Sequence, residues 1–97
     1  MTTKKSIEKE EIFKDLIGKS FYIRTVTYHW VGRIVSVFNG NFLELEEASW
    51  IPDSARFMNT IKDGEMNEVE PVGSVFVNTE TIVDFIPWVH ALPKDQK

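Results

Sequence analysis

The chain is 97 residues long, which is enough for one domain with a modest core. It contains no cysteine, so a disulfide framework, a thiolate metal site and a cysteine nucleophile are excluded, and a cytoplasmic setting is favoured over a secreted one. The formal net charge of −4 argues against holding nucleic acid by overall charge.

No apolar run approaches the roughly 18–20 residues that cross a bilayer. The opening MTTKKSIEKEE lacks the apolar stretch of a secretion signal. No membrane partner is expected.

Residues 6–17 predict an N-terminal helix. Ser6 suits the cap, Ile12, Phe13, Leu16 and Ile17 form one apolar stripe, and Gly18 suits the left-handed stop. From Ser20 the period changes to two, and threonine, valine and aromatics dominate. This run predicts a first strand over about 20–27 and a second over about 30–38, with a break near Thr27–Trp30. Gly32 inside the second strand implies a sharp bend or a close backbone contact. Asn39, Gly40 and Asn41 spell a hairpin turn. A third strand follows over FLELEEASWI and is expected to end at Pro52.

Residues 52–72 read as an acidic, partly helical insertion, with Asp53 as cap and Gly64 as stop. Residues 44–70 carry eight carboxylates against Arg56 and Lys62, a local charge of −6. The plainest reading of that charge is a solvated surface. EMNEVEPVG is expected to be a loop. Ser74–Asn78 and Thr81–Pro87 predict a fourth and a fifth strand joined by a tight turn, and residues 89–97 form a tail. Strands 1–3 thus occupy 20–51 and strands 4–5 occupy 73–88. The predicted class is mainly β: one helix and a strongly bent, five-stranded antiparallel small barrel, with the insertion between strands 3 and 4.

Two stretches carry a family resemblance. GKSFYIRTVTYHWVGRIVSVFNGNFLELEEA combines Gly-Lys after the helix, Gly32 in the bent strand, apolar Ile34 and Val37, a turn, and Leu43 and Leu45. GSVFVNTETIVDFI combines a glycine, Val75 and Val77, a short turn, then Ile82, Val83, Phe85 and Ile86. In order and separation these stretches resemble the two motifs of the Sm/LSm family, which includes the Hfq proteins, over residues 6–87 of this chain. The resemblance implies a homo-oligomeric ring of roughly five to seven copies, with the fourth strand of one subunit pairing with the fifth of the next. It places Val75, Val77, Ile82 and Phe85 at the subunit interface. It also implies binding of single-stranded RNA or a short oligonucleotide around a pore, by Phe38, Asn39, Asn41, Asn78 and Thr79. Asn78 and Thr79 stand where RNA-binding members carry Arg-Gly, and Asn41 falls one residue early. A small nucleotide ligand and a purely structural ring therefore stay open beside RNA.

Read by themselves, Asn78, Thr79 and Glu80 are polar turn residues. Arg24, Tyr28, His29 and Trp30 could stack and neutralise a nucleotide, or Tyr28 and Trp30 could pack at a barrel corner with His29 in a turn. Arg24 and Arg33 are expected to pair with Glu44 or Glu46. Glu46 and Glu47, as strand neighbours, are expected on opposite faces. Trp50 and Trp88 read as core or interface anchors. His29 and His90 lack ligand spacing, so no metal is expected. No phosphate loop or nucleophile constellation is present, and the expectation is a non-enzyme without cofactor.

Overall fold

Residues 13–97 are described in the computed structural model. The helix expected over 6–17 lies mostly outside them. Its last turn is inside: the Leu16 amide donates to Phe13 O at 2.9 Å, and Phe13 is buried against Phe85. Alternation then builds β1 (Ser20–Thr25), β2 (His29–Phe38) and β3 (Phe42–Asp53), a meander continued by β4 (Glu68–Asn78). The final strand, β5 (Ile82–Pro87), returns to pair with β1. All pairings are antiparallel. The order across the sheet is β4-β3-β2-β1-β5, so β4 and β5 are its two borders.

The hairpins follow local chemistry. Thr25 closes the β1–β2 turn: its amide and hydroxyl both donate to Tyr28 O, at 2.9 and 2.6 Å, and its hydroxyl oxygen accepts from the Tyr28 amide at 2.9 Å. The turn thus falls slightly earlier than the predicted break. In the β2–β3 turn Asn39 and Gly40 both take positive φ, 52° and 67°, the conformation that mirror-image hairpin turns require of their central pair.

Two apolar layers lie on opposite sides of the sheet. Phe21, Ile23, Ile34, Leu43, Leu45 and Val77 build one, with Phe13 beneath. Tyr22, Val31, Ile51, Met66, Val69 and Trp88 build the other. The second layer is roofed by a helix, α1 (Phe57–Asp63), and by the C-terminal tail: Phe57, Ile61 and Leu92 pack on it. Hydrogen bonds fasten this roof. A ring nitrogen of His90 lies 2.8 Å from Ile61 O, and Val69 and Lys97 exchange two backbone bonds at 2.8 and 2.9 Å.

Several boundaries differ from the sequence reading. β3 runs through Pro52 to Asp53. Helix α1 starts at Phe57 with Arg56 at its cap, and Asp53 instead accepts from the Ala55 amide at 3.2 Å. Gly64 does close the helix, at φ 76°. The largest difference is at residues 68–73, expected as loop and found as the first half of β4. Pro71 and Gly73 hid this strand. A border strand tolerates proline because one side of it needs no donor, and Val69 is buried in the second layer. The tight turn Thr79–Thr81 is a single 3-10 turn, and β5 starts one residue later than expected.

Gly32 is explained by close approach. A Cβ there would stand 3.1 Å from the Ala48 Cβ, 3.2 Å from its Cα and 3.3 Å from the Leu45 Cβ. Overpacking of this kind costs about 1–3 kcal/mol. Gly32→Ala should therefore lower the urea midpoint by that amount of stability with an unchanged denaturant slope.

Candidate functional site

The loops at one end of the barrel meet through the 3-10 turn. The Thr79 amide donates to Asn41 O at 2.7 Å, and the Thr79 hydroxyl donates to Gly40 O at 3.4 Å. The Asn78 side-chain oxygen accepts from the Glu80 amide at 2.9 Å, and the Thr81 hydroxyl donates to Asn78 O at 2.7 Å. Five residues singled out in the sequence are thereby gathered. Phe38, Asn39 and Asn41 are exposed, Asn78 is half-buried, and Thr79 is buried. Thr79 and the Asn78 oxygen hold the turn together, so the groups this end offers to a ligand are Phe38, Asn39 and Asn41.

Phe38 does not stand alone. With Phe42 and Phe76, and with Ser36 and Glu44, it lines an open cavity of about 360 Å³. The rings of Phe38 and Phe76 are 6.4 Å apart, and both residues are more than half exposed. Phe42 and Phe76 escaped the sequence reading. Their signal was parity, because both sit one step out of phase with the core residues Leu43 and Val77.

The residues assigned to the subunit interface lie on the borders, with their side chains turned inward. Val77 is buried in the first layer, and Val75, Ile82 and Phe85 pack against it. The large apolar side chains exposed on β4 and β5 are Val72, Phe76, 55% exposed, and Val83, 64% exposed.

Among the described residues no group of three or more histidines, cysteines or carboxylates lies together as a metal site would require, and no helix is long and apolar enough to cross a membrane.

Of the expected charged pairs, Arg33 with Glu46 is present and the Arg24 pair differs. Arg24 does not reach Glu44 or Glu46. It pairs with Asp84 on β5, Nε to Oδ1 at 2.7 Å and Nη2 to Oδ2, and its guanidinium lies 4.5 Å over the Phe57 ring. The register placing Arg24 opposite Asp84 decides this. Arg33 binds both Glu46 at 3.3 Å and Glu47 at 2.9 Å. The two carboxylates converge because Glu47 takes φ 50° in a β-bulge, which breaks the alternation of faces.

Three comparisons bear on what this architecture is. No protein-family model matches the chain, and no curated protein matches it. Solved structures do match. A heptameric archaeal Sm protein superposes with a TM-score of 0.53 at 23% identity, covering 79% of this chain and 96% of that one. The P. aerophilum SmAP1 heptamer gives 0.53 at 24%, covering 79% and 88%. The Sm-like protein AF-Sm2 of Archaeoglobus fulgidus gives 0.55 at 18%, covering 79% and 89%.

This chain has the Sm fold. A five-stranded bent sheet is present; among the described residues β4 and β5 pair with no further strand, and the outer edge of β4 meets the tail at Val69. A roof of α1 and the tail covers its second apolar layer.

The roof encloses a titratable contact. The Tyr22 hydroxyl lies 3.0 Å from His29 Nδ1. Burial raises the Tyr22 pKa, and burial together with the Arg24 charge lowers that of His29. The Arg24 partner holds the Asp84 carboxyl below its usual range. A histidine whose folded pKa is depressed disfavours protonation in the fold. Its contribution is complete above the unfolded value of about 6.5 and is lost as pH falls from there towards the folded value. The melting temperature should accordingly fall between pH 7 and 5. His29→Asn, which keeps an acceptor for the Tyr22 hydroxyl, should flatten that dependence in a thermal melt series.

Proposed function

We propose that the chain is a non-enzymatic, cytoplasmic Sm-fold protein that closes head to tail into a homo-oligomeric ring. One end of that ring offers a loop surface to single-stranded RNA or a short oligonucleotide. The observation that carries the assembly is the sheet order, which leaves β4 and β5 as opposite borders of one sheet. Two different borders make a heterologous joint, and such a joint forms a ring when its rotation closes. A ring of roughly five to seven copies is the expectation, and two of the matched Sm proteins are heptamers.

The joint has a preferred stretch. Pro71 interrupts the donor row of β4, which leaves Ser74–Asn78 as the stretch able to receive β5 of a neighbour. Val75, Val77, Ile82 and Phe85 anchor these borders to the core from inside. Phe76 and Val83, exposed in the single chain, would lose water on assembly. At the loop end Phe38 supplies a stacking face, and Asn39 and Asn41 supply amides for base edges. A second reading, a purely structural ring, draws on Asn78, whose side-chain oxygen is already committed to the turn.

Light scattering at micromolar concentration should give a multiple of the chain mass for the wild type. Val83→Lys places a charge of the kind that natural border strands use against pairing, and it should reduce that mass to a single chain with the melt retained. A wild-type monomer would end the ring reading. Phe38→Ala in an intact ring should weaken oligouridine binding roughly tenfold to a hundredfold, the loss of about 1–3 kcal/mol for one stacked base. A wild-type ring that binds no oligonucleotide selects the structural reading.

A further inference from the structure

At the edge of the first apolar layer, remote from the 38–41 turn, three aromatic side chains line a cavity of about 230 Å³: Tyr28, Trp30 and Trp50. Trp30 and Trp50 are direct cross-strand partners on β2 and β3, which puts both indoles on one face. Tyr28 comes from the β1–β2 turn and stands edge-on to Trp50, with ring centroids 5.7 Å apart and planes at 88°. Tyr28 is 53% exposed and both tryptophans are half-buried, so all three rings are partly open to solvent.

Perpendicular aromatic walls suit a cation. The face of each ring is negative, and the attraction is strongest for tryptophan. The surrounding charge has the matching sign. Glu70 is the cross-strand partner of Trp50 on β4, where its Oε1 also accepts from Gln96 Nε2 at 3.1 Å. The nearby arginine is committed elsewhere, since Arg24 lies over Phe57 and pairs with Asp84. The cavity is also smaller than the roughly 300–1,000 Å³ clefts that engulf a drug-sized molecule. It fits a head group, and its walls have few hydrogen-bonding groups for an ordinary ammonium ion.

We propose that Tyr28, Trp30 and Trp50 form a cage for a quaternary ammonium group, with Glu70 supplying the counter-charge. Such a group is cationic and has no N–H to satisfy, so an aromatic wall suits it better than it suits lysine. The site is separate from the loop end and does not depend on RNA binding there.

The full chain should be titrated with choline and with its neutral isostere 3,3-dimethylbutan-1-ol, following tryptophan fluorescence. Choline should saturate, and the neutral alcohol should bind about tenfold more weakly or worse. Tyr28→Phe should retain binding. Tyr28→Leu, which keeps apolar bulk but removes the ring face, should lose it without a change in melting temperature. Glu70→Gln should weaken choline and leave the alcohol unaffected. A parallel titration with trimethyllysine amide against unmodified lysine amide distinguishes a modified protein side chain from a small soluble cation as the source. Equal binding of choline and the alcohol would overturn the cage. So would the absence of saturation for both quaternary cations at concentrations on the order of tens of millimolar, or undiminished choline binding in Tyr28→Leu.

Discussion

A border strand carries a row of N–H and C=O groups that water or another strand must satisfy, and this sheet has two of them. Closing the sheet on itself would remove both, but β4 and β5, although joined by the short turn Thr79–Thr81, do not pair with each other. β5 is carried across to β1 instead, and the Val26 amide donates to Thr81 O at 3.0 Å along that path. At Gly32 β2 lies so close to Ala48 and Leu45 that a Cβ would crowd both. A small core, two border strands and outward apolar residues are what the proposed association would cover.

The residues between β3 and β4 give the fold a second layer. Without α1 and the tail, Tyr22, Val31 and Ile51 would form an exposed apolar face on the outer side of the sheet. The roof segment, residues 54–67, is itself neutral, with Arg56 and Lys62 against Asp63 and Glu65; the other carboxylates of 44–70 lie on β3 and β4. The inner side of the roof is apolar: Phe57, Ile61, Met66 and Val69. Tail and insertion are bound to each other as well as to the sheet, by His90 with Ile61 O and by Val69 with Lys97.

Much of this was legible in the residues. Period-two alternation located β1 to β3, Asn39-Gly40 located a mirror-image turn, and Gly64 located a helix stop, because each rests on a local conformational preference. What stayed hidden rests on contacts distant in sequence. The first half of β4 contains proline and glycine, and it is a strand because Ala48 to Asp53 offers it a partner. The pairing of Glu46 and Glu47 on Arg33 needs a bulge that alternation cannot foresee. Arg24 meets Asp84 sixty residues away, a partnership set by the β1–β5 register. The aromatic groups were visible as residues, but not as clusters. Trp50 joins Tyr28 and Trp30 only once β2 and β3 pair, and Phe76 joins Phe38 only across the full width of β3.

The account turns on whether the two borders are completed by neighbouring copies. Amide hydrogen exchange at low and high protein concentration reads this directly. Outward amides of Ser74–Asn78 and of β5 should slow together as concentration rises, while the interior strand β2 stays protected throughout. If those amides exchange at the rates of open, water-bonded backbone at every concentration, the borders are satisfied by solvent and the ring does not form.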